Sequence, residues 1–212
     1  MRSRPGVDDA RRAPGGALTG PGAGFTLIEL LAVLAVLGLL AAVAVPAVLS
    51  ATSRLRVSLA AHEAAAILQR ARMLAVRSRV YVAVRFDTDG ETVTWALYGD
   101  GDGDGVRSRD IDRGVDPRLQ QPIPLRRTGA SVRLGFPEGR APRAPGGRGR
   151  IDRRHDPVRF NRSDMASFSP TGTSTPGSLY FTDGTHLAAV RLFGRSGKVK
   201  VIVYDPETET WE

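Results

Sequence analysis

The chain has 212 residues, no cysteine and a formal net charge of +8. The absence of cysteine excludes a disulfide framework, so any globular part is held together by packing alone. The positive charge is carried almost entirely by arginine, and on its own it does not indicate nucleic-acid binding.

The first segment, 1–24, is rich in Arg, Gly and Pro and has no apolar periodicity. This composition is typical of a disordered leader. Arginines that precede an apolar run also favour a cytoplasmic N-terminus, with the following domain on the other side of the membrane. We therefore predict a cytoplasmic leader over 1–24.

An apolar segment follows, and it carries one charge near its start, Glu29. The residues from Leu30 to Leu49 would span roughly 30 Å as a helix, about the thickness of a bilayer core. A carboxylate at this place costs about 2.5–3.5 kcal/mol on insertion scales, and such a residue usually has a function and a partner. Cleavage before Phe25 would create that partner, because the new α-amino group is a cation close to Glu29.

The hexapeptide from Gly24 to Glu29, Gly-Phe-Thr-Leu-Ile-Glu, resembles the signature of prepilin-type proteins. The resemblance implies that a prepilin peptidase cuts between Gly24 and Phe25 and that Phe25 is then N-methylated. It also implies an inner-membrane protein that assembles into a filament through Glu29. Pro46 lies where pilin-like helices often carry a proline that loosens the membrane helix.

Two other interpretations remain open for the apolar segment. A Sec signal peptide has a shorter apolar core, of about 7–15 residues, and a small-x-small cleavage site, for which Ala42-Val43-Ala44 would serve. A plain single-span anchor needs no Gly-Phe-Thr-Leu-Ile-Glu signature.

The helical pattern continues beyond the apolar segment. Residues 51–79 are rich in helix-forming Ala, Leu, Arg and Glu, and their apolar members recur at three- and four-residue spacing. We predict one helix of about 55 residues, with a membrane or filament half over 25–50 and an amphipathic half over 51–79.

From residue 80 onward, short apolar strands alternate with Gly-containing turns about every ten residues, which is typical of antiparallel sheets. The predicted fold is α+β: a long N-terminal helix followed by a C-terminal, antiparallel, sandwich-like head over 80–212, similar to pilins.

An acidic loop interrupts this head. Carboxylates at alternate positions followed by Gly resemble the opening of an EF-hand loop, but the twelfth position is Ile111 instead of an acid. The candidate calcium ligands are Asp100, Asp102, Asp104, Asp110 and Asp112. The alternative is a solvated acidic loop that needs no cofactor.

A second charged segment, 137–157, is rich in Arg, Gly and Pro, and we predict a mobile loop that buries no core. Its arginines provide the one sequence-level indication of nucleic-acid contact, although no aromatic side chain interleaves them for base stacking. The candidate residues are Arg148, Arg150, Arg153 and Arg154.

The C-terminal segments Phe168–Gly172, Gly177–Phe181 and Val190–Val199 are similar to the closing pattern of GspH-type pseudopilins and FimT-type minor pilins. The resemblance implies a minor pseudopilin of a type II secretion system, which assembles with major and minor pseudopilins to support protein export. The alternative is a minor type IV pilin that binds DNA through its arginine loop. No Gly-x-Ser-x-Gly nucleophile motif is present, and we predict no enzymatic activity.

Overall fold

The computed structural model describes residues 25–88, 93–125, 132–147, 149–153, 155–160 and 163–212. The predicted leader lies outside the described residues. The chain divides into two units, Met1–Val45 and Pro46–Glu212, so the boundary falls at the proline inside the first helix.

Helix α1 runs from Leu27 to Ser78 and contains Pro46. It begins after Thr26, whose side-chain Oγ1 accepts a hydrogen bond of 3.2 Å from the backbone N–H of Glu29. A threonine at this position caps a helix because its oxygen pairs a backbone N–H that lacks an intrahelical partner. The helix ends before Arg79, which has a positive φ of 58°.

The second unit contains two antiparallel sheets. The first sheet has the order β3-β2-β1-β6, with β1 Val82–Thr88, β2 Val93–Gly99, β3 Arg118–Pro124 and β6 Met165–Phe168. The second has the order β10-β9-β8-β7-β4, and β5 also pairs with β7. Its strands are β4 Arg133–Leu134, β5 Val158–Phe160, β7 Gly177–Thr182, β8 Leu187–Phe193, β9 Lys198–Asp205 and β10 Thr210–Trp211. A short helix, α2 Ser108–Arg113, lies between β2 and β3.

Both sheets share one core with the second half of α1. The helix contributes small residues, among them Ala61, Ala64 and Ala71, all with no exposed surface. The sheets contribute larger side chains, including the fully buried Phe168 and Leu179. Small side chains on the helix let it lie close to the large ones of the sheets, as close packing of a core requires.

The connection from the first sheet to the second requires glycine at Gly177. A Cβ at this position would overlap the ring of Phe160 and the carbonyl oxygen of Arg159. Since Phe160 is fully buried beside it, the ring has no free space into which to move.

The structure confirms the predicted fold class, a long N-terminal helix followed by antiparallel β-structure. It adds the short helix α2 and the edge strand β3 between β2 and β4. Both elements depend on tertiary contacts: β3 pairs with β2, and the acidic loop and α2 cover a small cluster around Tyr98 and Met165.

The prediction that 137–157 buries no core residue is wrong for its described part. Ile151 is 4% exposed and packs in a cluster with Phe136, Tyr180 and Tyr204. A bridge between Arg143 and Arg150 closes the segment on itself. Composition does not reveal this packing, because one isoleucine and a few ion pairs hold in place a segment that is otherwise polar.

Candidate functional site

The start of α1 places the prepilin-type residues at an exposed helix end. Phe25 is 81% exposed, and Glu29 lies in the first turn, where a carboxylate interacts favourably with the helix dipole. Glu29 forms no ion pair with any residue that the structure describes. Gly24 lies outside the described residues. Within the described part of the chain the Glu29 carboxylate therefore has no cationic partner.

The apolar side chains that follow Glu29 are also exposed. Every residue from 25 to 52 is exposed, and the large apolar ones are 48–81% exposed. They are Phe25, Leu27, Ile28, Leu30, Leu31, Val33, Leu34, Val36, Leu37, Leu39, Leu40, Val43, Val45, Val48 and Leu49. A soluble monomer rarely exposes such a continuous apolar surface. α1 is also long and apolar enough to cross a membrane, which is compatible with a single-span anchor.

Comparison with known proteins supports the interpretation of this end of the chain. Residues 22–45 match the prokaryotic N-terminal methylation motif. The prepilin-type signature predicted from Gly24 to Glu29 is thereby confirmed. No curated protein matches the chain in sequence.

Two solved structures of the minor pseudopilin EpsH, from the type 2 secretion system of Vibrio cholerae, are similar to the chain. The first is 14% identical, covers 70% of this chain and 97% of its own, and has a TM-score of 0.41. The second is 13% identical, with 75% and 93% coverage and a TM-score of 0.36. Likenesses of this size do not define a function.

The acidic loop brings three of its five candidate ligands together. Among the described residues, the carboxylate oxygens of Asp100, Asp102 and Asp104 all lie within 4.8 Å of one another. Asp110 and Asp112 do not join them: Asp110 is buried beside Arg109, and Asp112 lies 3.8 Å from Arg85. The predicted ligand set is therefore corrected to the first three residues, because α2 turns the other two towards arginines.

These three carboxylates already have partners within the loop. Asp100 accepts hydrogen bonds from the backbone N–H groups of Gly103 and Gly105, at 2.8 and 3.0 Å. Asp104 pairs with Arg107, yet burial raises the pKa of its carboxyl above the usual value, against the opposing effect of that arginine. The oxygen donors suit calcium in chemistry, while Arg107 competes for one of them. Calcium binding stays a prediction.

Segment 137–157, which we call the arginine segment, directs several arginines towards one carboxylate, Glu209. We did not predict this carboxylate from the sequence. Glu209 accepts hydrogen bonds from Arg150 at 2.6 Å and Arg143 at 3.1 Å, and Arg140 lies 3.3 Å away. The hydrogen bonds from Arg150 and Arg143 lower the pKa of Glu209 to about 2. Trp211 also donates a hydrogen bond to the carbonyl of Arg143, so the segment is joined to the β9–β10 hairpin.

Of the four arginines predicted for nucleic acid, the structure describes two, Arg150 and Arg153. Arg150 is engaged by Glu209 and by the carbonyl of Ala141. Arg153 lies in a shallow depression with Asp152, Asp156 and Arg159, and Asp152 is ion-paired there with Arg159 at 3.6 Å. Arg148 and Arg154 lie outside the described residues.

Two further residues stabilise the second unit without having been singled out from the sequence. Asp116, 2% exposed, accepts hydrogen bonds from the backbone N–H of Gly101 and of Arg107, and so closes the acidic loop. Arg72 on α1 donates from Nε to the carbonyl of Gly172 at 3.0 Å. The sequence did not single out either residue, because a charged residue that is buried and paired cannot be distinguished from a surface residue by sequence alone.

Proposed function

We propose that the chain is a minor pseudopilin, a structural subunit of a type II secretion pseudopilus that supports protein export across the outer membrane. The observation that carries the proposal is the methylation motif over 22–45, which extends into α1, together with the exposure of every residue from 25 to 52. A chain of this kind needs other chains or lipid to cover its apolar surface.

In this proposal a prepilin peptidase removes 1–24, and Phe25 becomes the methylated N-terminus. Before assembly the apolar helix spans the inner membrane once, with the leader in the cytoplasm and the head outside it. On assembly, Glu29 pairs with the α-amino group of a neighbouring subunit, which neutralises two charges in apolar surroundings and fixes the register between helices. Repetition of such head-to-tail contacts builds a helical filament. The role is structural and requires no catalytic site.

The experiment is gene deletion and complementation in the native cell, with export of secreted proteins as the readout. Deletion should stop export, the unchanged chain should restore it, and a Gly24→Ile chain should remain uncut and fail to restore it. A Glu29→Gln chain should be cut normally yet also fail, whereas Glu207→Gln, a matched change at an exposed site, should restore export. Export that continues in the deletion strain contradicts the proposal.

The alternative function, a minor type IV pilin that captures DNA, depends on the arginine segment. The engagement of Arg150 by Glu209 makes it the less favoured of the two. A gel shift with the full chain tests it, because phosphate contacts release counterions and weaken steeply with added salt. A salt-sensitive shift that disappears with Arg148→Ala, Arg153→Ala and Arg154→Ala would favour DNA capture.

A further inference from the structure

The second half of α1 is enclosed by its own head on most of its circumference, except for one stripe. Between Val57 and Ala75 nine residues are buried, and the uncharged exposed positions recur at alternating spacings of three and four. Together with Val76 they form what we call the seam: Leu59, His62, Ala66, Gln69, Met73 and Val76. Leu59, Met73 and Val76 are 46%, 66% and 47% exposed. These are large exposed fractions for apolar side chains on a helix whose other face is buried.

The spacing of the seam is that of the a and d positions of a heptad repeat. Such a pattern presents a continuous stripe to a second helix, and from Leu59 to Val76 it extends over roughly 26 Å at the helical rise per residue. His62 and Gln69 place polar groups at two d positions. Polar groups within a helix–helix seam specify register and partner at some cost in affinity.

The two sides of the seam differ. On one side the head itself forms a wall: His62, Ala65 and Gln69 line a groove together with Val199 and Val201 of β9. On the other side Arg56, Arg70 and Arg77 are exposed and fall at the same heptad position, one that flanks the seam. Within the described part of the chain these three arginines form no ion pair. The one acid at that heptad position, Glu63, is partly buried.

We propose that the seam docks an α-helix of a different subunit, one with an apolar stripe and carboxylates along its flank. Residues flanking a heptad seam choose the partner through charge. A second copy of this chain offers no acidic row, because its matching flank carries three arginines and one glutamate and is positive overall. An acidic flank instead meets Arg56, Arg70 and Arg77 in register. This inference rests on the proposed function, because the partner is taken to be another subunit of the same filament.

The test uses the full chain in detergent micelles and two synthetic helical peptides of about four heptads, both with Leu and Ile at the a and d positions. One peptide has Glu at every e and g position, and the other has Lys there. Fluorescence anisotropy should show the Glu peptide binding about tenfold more tightly than the Lys peptide. Met73→Asp should weaken both peptides, because it places a charge in the seam.

Charge reversal gives the sharper result. The variant Arg56→Glu, Arg70→Glu, Arg77→Glu should bind the Lys peptide more tightly than the Glu peptide. A matched control, Arg113→Glu, Arg118→Glu, Arg133→Glu, should keep the original preference, because those exposed arginines lie outside α1. If the triple variant loses its circular-dichroism signal, Arg70→Glu alone should still reduce the preference.

Three outcomes would overturn the proposal: equal binding of the two peptides, loss of the preference in the matched control, or a disulfide-linked homodimer of Leu59→Cys in native membranes. The last readout is clean because the chain has no other cysteine. Binding to anionic lipid vesicles that Met73→Asp abolishes, without any peptide preference, would assign the seam to a membrane instead. Failure here leaves cleavage before Phe25 intact, whereas failure of the proposed function leaves the peptide preference intact, so the two are distinguishable.

Discussion

The two halves of α1 are both rich in Ala, Leu and Val, but they differ in their charges and in their surroundings. Residues 25–52 are Leu-, Val- and Ala-rich and all exposed, whereas nine residues from Val57 to Ala75 are buried by the head. The second half alternates its apolar residues with charges, and the first does not. The chain therefore supplies partners for one half and leaves the other to lipid or to other chains. Apolar content alone does not tell where a helix finds its contacts; the position of the charges does.

The largest expected effect is the loss of stability when a leucine is truncated in the buried half of α1, compared with the same change in the exposed half. Leu68 has no exposed surface, so Leu68→Ala should destabilise the second unit by about 2–5 kcal/mol. Leu37 is 54% exposed, and Leu37→Ala should leave the unfolding of that unit unchanged. Chemical unfolding of the full chain in detergent, followed by tryptophan fluorescence, measures both. Equal losses of unfolding free energy would contradict the difference in burial between the two halves of α1.

A glycine substitution tests how closely the strands of the second unit approach one another. Gly177→Ala should cost about 1–3 kcal/mol, because the added Cβ overlaps the buried ring of Phe160. Gly147→Ala is the control: its Cβ would meet Ala144 at 3.6 Å, an ordinary contact, and should change stability by less than about 0.5 kcal/mol. The same unfolding measurement applies, and a neutral Gly177→Ala would contradict the close approach.

Calcium would act on the head and leave the apolar half unchanged. If the acidic loop binds calcium with a dissociation constant of about 1 mM, then about 10 mM calcium should stabilise the second unit by about 1.4 kcal/mol. The melting temperature measures this effect, with magnesium as the control ion. Asp100→Asn, Asp102→Asn, Asp104→Asn should abolish it, while Asp112→Asn should retain it. No difference between calcium and magnesium would assign these carboxylates to the loop alone.

The smallest effect is a pH dependence of the arginine segment. The pKa of Glu209 is about 2 in the folded chain and near its ordinary value of 4.5 in the unfolded one. A lowered folded pKa stabilises the fold above about pH 4.5, and that contribution is lost as the pH falls towards 2. Glu209→Gln should therefore be less stable than the unchanged chain at neutral pH and equal to it near pH 2. A constant difference across this range would show that Glu209 stays neutral or unpaired.

Much of the fold was predictable because it depends on local pattern. The run from Leu30 to Leu49 and the three- and four-residue spacing after it define one helix, and Gly-punctuated strands define antiparallel sheets. The Gly24–Glu29 signature was equally local and specific. What the sequence did not show are contacts between distant residues, such as Arg150 with Glu209 or Arg72 with Gly172.

The acidic loop also contains contacts that the sequence did not reveal, although its residues are close together in the chain. The spacing of Asp100, Asp102 and Asp104 correctly indicated a cluster, because alternate residues in a Gly-rich turn converge. Asp110 and Asp112 were assigned to it by counting along an EF-hand template. A short helix redirects them, and Asp116, which no template includes, closes the loop in their place.

Both the proposed assembly and the role proposed for Glu29 depend on processing of this chain as a prepilin-type subunit. The most direct test is the intact mass and N-terminal sequence of the protein extracted from membranes of cells with and without its prepilin peptidase. We expect a start at N-methylated Phe25 that depends on the peptidase. A chain that remains uncut, or one cut near Ala44, would contradict it and remove the role proposed for Glu29.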